Sequence, residues 1–148
     1  MMTTNQPILI VEDSPEDYEA TVRAFRKAGL ANPIFHCEDG DEALDFLSNR
    51  GEFENASLYP KPGIILLDLN LPGTDGREVL SEIKADKNLK RIPVVILTTS
   101  NDEKDVRSCY EAGANSYIQK PVNMERFIRA VQMLKDYWFN ISILPKQS

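Results

Sequence analysis

Three runs along the chain are apolar without a polar break: Ile8–Val11, Ile64–Leu67 and residues 94–97. They consist of Ile, Val and Leu and do not alternate, as expected of strands buried on both faces of a helix-covered parallel sheet. Two weaker segments, Ile34–Cys37 and Ser116–Gln119, read as further strands. Between these runs the apolar positions take up helical spacing. Tyr18, Val22 and Phe25 follow Ser14-Pro15 and precede Gly29, so Ser14 suits an N-cap, Pro15 a first turn and Gly29 a stop. Residues 41–49 carry Ala43, Leu44 and Leu47, and residues 76–84 carry Val79, Leu80 and Ile83. Residues 102–112 carry Val106, Cys109 and Tyr110 and end at Gly113, and a last helix from 124 to about 141 aligns Phe127, Ile128, Val131, Leu134 and Trp138. Five repeats of strand then helix, joined by right-handed crossovers, give an α/β parallel sheet with helices on both faces. Residues 50–63, with Pro60 and Pro62, read as a surface loop.

The 148 residues suit one domain, and no linker interrupts the alternation. Two cysteines, Cys37 and Cys109, make no disulfide framework and point to a reducing compartment. No apolar run is long enough to span a membrane, and the polar, uncharged start is unlike a signal peptide, so a cytoplasmic location is expected. The formal charge of −6 disfavours a nucleic-acid partner. That charge is unevenly placed. Residues 1–45 hold ten acids against Arg23, Arg26 and Lys27, whereas the remaining 103 residues are nearly neutral.

In an open α/β sheet, ligands bind beyond the carboxyl ends of the strands. The residues that end the apolar runs are therefore informative: Glu12-Asp13 after the first, Asp68 after the third, Thr98 after the fourth and Lys120 after the fifth strand. Side-by-side strands bring three carboxylates, a hydroxyl and an ammonium to one edge. Three close carboxylates repel unless a cation joins them, and Mg2+ with oxygen ligands answers that need. A metal-bound carboxylate beside a Lys and a hydroxyl suits phosphoryl transfer to Asp68 as nucleophile.

These motifs resemble the receiver domain of two-component response regulators over essentially the whole chain. The resemblance rests on 8–13 (ILIVED), 67–72 (LDLNLP) followed by Asp75-Gly76, 93–98 (PVVILT), and Gly113-Ala114 through Tyr117 to Lys120-Pro121. It implies a flavodoxin-like (βα)5 fold with sheet order 2-1-3-4-5, forming a single domain over 1–148 with an extended last helix and tail from about 123. It further implies phosphorylation of Asp68 by a histidine kinase, with Mg2+ held by Asp13, Asp68 and the backbone carbonyl of Asn70. Glu12, where the family more often has Asp, would act through metal-bound water. Lys120 and Thr98 would contact the phosphoryl group, Tyr117 would turn inward with Thr98, and Asn70 and Ser100 would tune hydrolysis. The chain is then a signalling phosphoacceptor rather than an enzyme. A closer resemblance, to the small stand-alone regulators paired with cyanobacterial phytochromes, rests on Glu52-Phe53-Glu54-Asn55, 76–80 (GREVL), 89–93 (LKRIP), 97–100 (LTTS) and Trp138. It implies a phytochrome-type kinase, a homodimer and no output domain.

Each residue alone also has a plainer reading. Glu12-Asp13 could be a solvated helix cap, Asp68 and Lys120 a structural ion pair, Thr98 a strand residue and Tyr117 a core or rim aromatic. His36, the one histidine, is expected on or beside the second strand, away from the chemistry. The last helix has a second apolar series that includes Met133, Tyr137 and Ile141; with Trp138 these are expected at a dimer interface, or else folded back on the domain. A competing function is a Mg2+-dependent phosphatase or phosphotransferase with an Asp nucleophile. Such enzymes place a second Asp two residues on, where this chain has Asn70. A flavodoxin-like electron carrier is disfavoured because Glu12-Asp13 would repel an FMN phosphate.

Overall fold

The structure is a computed structural model in which residues 6–120 and 123–136 are described. Five parallel strands run in the order β2-β1-β3-β4-β5. They are β1 (Ile8–Val11), β2 (Ile34–Cys37), β3 (Ile64–Leu67), β4 (Val94–Thr98) and β5 (Ser116–Gln119). The helices are α1 (Pro15–Lys27), α2 (Gly40–Leu47), α3 (Gly76–Ala85), α4 (Glu103–Glu111) and α5 (Met124–Asp136). This is the flavodoxin-like arrangement expected from the sequence.

Successive strand residues point to opposite faces, so each buried strand supplies two cores. Leu9, Val11, Ile65, Leu67, Val94 and Ile96 pack with Phe46 of α2, Leu80 and Ile83 of α3 and Cys109 of α4. Ile8, Ile10, Ile64, Leu66, Val95 and Leu97 pack with Phe25 of α1 and Phe127 and Val131 of α5. Burial on both faces is why these strands are unbroken apolar runs. The outer strands are less buried, which is why β2 and β5 are the weaker signals.

Helix starts follow the expected chemistry. The Ser14 hydroxyl accepts from the Asp17 amide at 3.3 Å, with Pro15 in the first turn. Asp39, Asp75 and Asp102 cap α2, α3 and α4 through their carboxylates. Helix α1 ends at Lys27, and Gly29 follows with φ of 88°, a conformation glycine adopts freely.

Strand β4 ends in Thr98, as the sequence suggests. Two features differ from expectation. Tyr110 was expected on the apolar stripe of α4 but is 48% exposed; Cys109 alone is buried there. Residues 50–63 are not merely a surface loop. A 3-10 turn at Gly51–Phe53 buries Phe53, and Phe53 and Tyr59 meet edge-to-face with ring centres 5.1 Å apart. Both also pack on Phe46. The Asn49 amide ties the loop by donating to the Phe53 and Tyr59 carbonyls at 3.0 and 2.9 Å.

Among the expected interface residues, Met133 is 72% exposed on α5, while Tyr137, Trp138 and Ile141 lie outside the described residues. Among the described residues no helix is long and apolar enough to cross a membrane.

Candidate functional site

The carboxyl ends of β1, β3, β4 and β5 meet at one edge. Glu12 and Asp68 each follow a strand by one residue and are buried, and Asp13 beside them is exposed. The close approach of α3 helps hold Asp68. Gly76 donates its amide to the Leu69 carbonyl at 2.9 Å, and a Cβ on Gly76 would lie 2.1 Å from the Asp68 carbonyl oxygen. This gives the Asp75-Gly76 motif its physical basis: only glycine lets the helix start this near the acceptor backbone.

Lys120 is the hub. Its Nζ donates to Glu12 Oε1 at 2.7 Å, to Asp17 Oδ2 at 2.8 Å and to Asp68 Oδ2 at 3.1 Å. Burial alone would lower the ammonium's pKa; its hydrogen bonds to Asp17 and Glu12 more than reverse this, and the net shift is upward. Burial raises the Glu12 pKa despite its bonds from Lys120 and the Ser14 amide. The Lys120 amide donates to the Thr98 carbonyl at 2.6 Å, fixing β5 against β4 where the site begins.

Glu12, Asp13 and Asp68 each offer an oxygen, and these three atoms lie within 4.8 Å of one another. The donor set is all carboxylate, two members buried and one facing solvent. It fits a hard divalent cation. Asn70 sits alongside, its amide hydrogen donating to Asp68 Oδ1 at 3.1 Å.

Thr98 is fully buried, and its hydroxyl oxygen accepts from Asn70 Nδ2 at 3.4 Å and the Ser100 amide at 3.5 Å. Half-buried Tyr117 donates its hydroxyl to the Ser100 carbonyl at 3.1 Å. Of the eight residues singled out from the sequence around the phosphoryl chemistry, seven lie at the strand ends or in the loops that follow them, and Tyr117 lies within β5 and reaches the loop after Thr98 through its hydroxyl.

Several participants were not singled out. Asp17 binds Lys120 directly. Helix α1 starts just past β1, so its first turn hangs over the strand ends; that placement was the available signal. Arg77 grips Asp105 with two bonds of 2.8 and 2.7 Å, and Asp105 also accepts from the Ser100 hydroxyl at 2.7 Å. This network joins α3, α4 and the loop after Thr98. His36 lies nearer the site than expected. It stacks on Tyr18 with ring centres 3.7 Å apart, and its Nε2 lies 2.7 Å from the Glu12 carbonyl, to which it donates. Parallel pairing of β1 with β2 places Ile10 opposite His36, which brings the ring to that carbonyl.

Comparisons with known proteins agree with this geometry. Residues 8–132 match the response regulator receiver domain family. Response regulator Rcp1 of Synechocystis is 44% identical over 93% of this chain and 92% of its own length. Its Mn(2+)-bound crystal structure superposes with a TM-score of 0.80 at 43% identity, covering 92% of this chain and 96% of that one. The phosphorylated cyanobacterial phytochrome response regulator RcpA gives a TM-score of 0.80 at 40% identity, over 90% and 94% of the two chains. A probable methanogenesis regulatory protein, FilR2 of Methanothrix harundinacea, is also 44% identical, over 93% of this chain and 86% of its own. With its sheet order, its acidic edge and this match over most of its length, the chain belongs to the response regulator receiver domain family.

Proposed function

We propose that this protein takes a phosphoryl group from a histidine kinase onto Asp68 and passes the signal on through altered protein contacts. The observation that carries this reading is the buried Asp68 carboxylate, 3.1 Å from the Lys120 ammonium and within 4.8 Å of the Glu12 and Asp13 oxygens. A carboxylate oxygen of Asp68 attacks phosphorus, and the P–O bond forms as the P–N bond of a phosphohistidine breaks. The electron pair leaves with the imidazole, which retains or takes up a proton. Lys120 binds the charge gathered on the phosphoryl oxygens and the Thr98 hydroxyl donates to one of them. What Mg2+ supplies, when held by Glu12, Asp13, Asp68 and the Asn70 carbonyl, is positive charge against those same oxygens. Tyr117, tied to Ser100 just after Thr98, is placed to report the change on the α4–β5 surface, and Asn70 and Ser100 flank the site where they influence hydrolysis. The likeness to RcpA, a cyanobacterial phytochrome response regulator, supports a phytochrome-type kinase as donor. The phosphatase reading is weaker because Asn70, at the position such enzymes give to an acid/base Asp, cannot move a proton.

The test is intact mass after treatment with acetyl phosphate and Mg2+. Native protein gains one phosphoryl group and Asp68→Asn gains none; native protein that takes up nothing with donor and metal in excess overturns the reading. The same readout with a phytochrome kinase as donor, set against unrelated kinases, tests the partner, and equal transfer rates remove it.

A further inference from the structure

An ammonium has three N–H donors, and Lys120 gives all three to carboxylates: Glu12, Asp17 and Asp68. The bond to the acceptor is the longest, 3.1 Å against 2.7 and 2.8 Å. A phosphoryl group on Asp68 inherits the N–H now given to Asp68 Oδ2, and drawing the ammonium closer to its oxygens loosens one of the two shorter bonds. Glu12 is 3% exposed, and leaving it unpaired would strand a buried charge. Asp17 has a side chain 45% exposed, so water can take the place of Lys120 there at small cost. A cavity of about 190 Å3 between α1 and α5, lined by Asp17, Thr21, Leu97, Lys120 and Phe127, gives the ammonium room to move.

We infer that Asp17 is a positioning residue acting through Lys120: it competes with the phosphoryl group for the lysine and restrains anion binding at Asp68. The inference rests on the reading of Asp68 as phosphoryl acceptor. Two effects have the same sign. Asp17 occupies one N–H of Lys120, and its own negative charge adds to the carboxylates that an incoming dianion meets. Because the first turn of α1 carries this carboxylate, filling the site loosens that turn from Lys120, the residue after β5.

The experiment measures the affinity of beryllofluoride, a phosphoryl analogue, with Mg2+ saturating, by titration calorimetry and 19F NMR. The lysine 15Nζ signal is followed in protein free of metal and donor. Asp17→Asn binds about three- to fivefold tighter than native and shifts the Lys120 Nζ resonance. Asp17→Glu, which keeps the charge, binds like native. Glu16→Gln removes a charge from the same turn, where its contact is the Ser14 hydroxyl, and changes neither readout. If Asp17→Asn loses its helical circular dichroism, Asp17→Ser provides the uncharged variant. Equal or weaker binding by the uncharged variant overturns the inference while leaving the acceptor reading intact. Native protein that binds no beryllofluoride sinks the acceptor reading, and this inference with it.

Discussion

Asp105 shows how much one side chain can organise. Its carboxylate meets the forked Arg77 guanidinium and the Ser100 hydroxyl, and these bonds, that of Arg77 foremost, pull its pKa down to about 2. A carboxyl group depressed in the folded state stabilises the fold above its ordinary pKa of about 3.9, and that contribution is lost as pH falls toward the folded value. We predict that native protein loses this share of its stability between about pH 4 and pH 2. Asp105→Asn, with no proton to take up there, should show a shallower fall across the same window, read from urea midpoints measured against pH. Long-range pairing of this kind is not legible in a sequence. Arg77 and Asp105 are 28 positions apart on different helices, and each alone reads as an ordinary exposed charge. Lys120 and Asp17, 103 positions apart, are the same case. Glu12, Asp68 and Thr98 were legible because each ends an apolar run, and Lys120 because it closes the fifth strand; strand ends converge by topology.

At the scale of elements, the buried strands were the clearest signals and the segment between α2 and β3 the poorest. Its two prolines and its polar residues suggest loop, and no periodicity reveals that Phe53 and Tyr59 turn inward onto Phe46. The segment is held by aromatic packing and by Asn49, whose φ of 53° turns the chain just after α2. We predict that Phe53→Ala destabilises the fold by about 3 kcal/mol, the cost of removing a buried ring. Because Phe53 packs on Phe46 of α2 and on Tyr59 rather than on the site, phosphoryl uptake by the folded variant should match that of native protein. Chemical denaturation and intact mass measure the two effects separately. Tyr110 shows the opposite limit: helical spacing marked it as apolar stripe, yet α4 packs so narrowly on the sheet that Cys109 fills the contact.

For the whole molecule, the sheet sorts the site into two groups. By strand alternation Glu12, Asp68 and Lys120 belong to the face covered by α1 and α5, and Thr98 and Tyr117 to the face covered by α3 and α4. Asp13 and Asn70 lie at the rim between them. Cation binding at the acidic edge draws on residues from both β1 and β3 and so stabilises the fold as a unit. We predict that millimolar Mg2+ raises the melting midpoint, the unfolding free energy gaining about 2.7 kcal/mol when the Mg2+ concentration is a hundred times its dissociation constant. Chelation should reverse the gain, and Asp13→Asn should need several times more metal for the same rise; scanning calorimetry across a Mg2+ series checks both.

The strand order also converts an asymmetry of sequence into one of space. The first 45 residues, which hold ten acids and three bases, build β1, α1, β2 and α2, and with β2 outermost they occupy one end of the sheet. The described residues of the nearly neutral remainder build the other end. The molecule therefore carries an electric dipole running along the strand order, with its negative pole toward β2. Such a field acts on an approaching partner over roughly one Debye length, about 8 Å at physiological salt. Within that distance it turns a basic surface toward α1 and α2 before any contact forms, so the order of the strands shapes the trajectory of an encounter as well as the site where it ends.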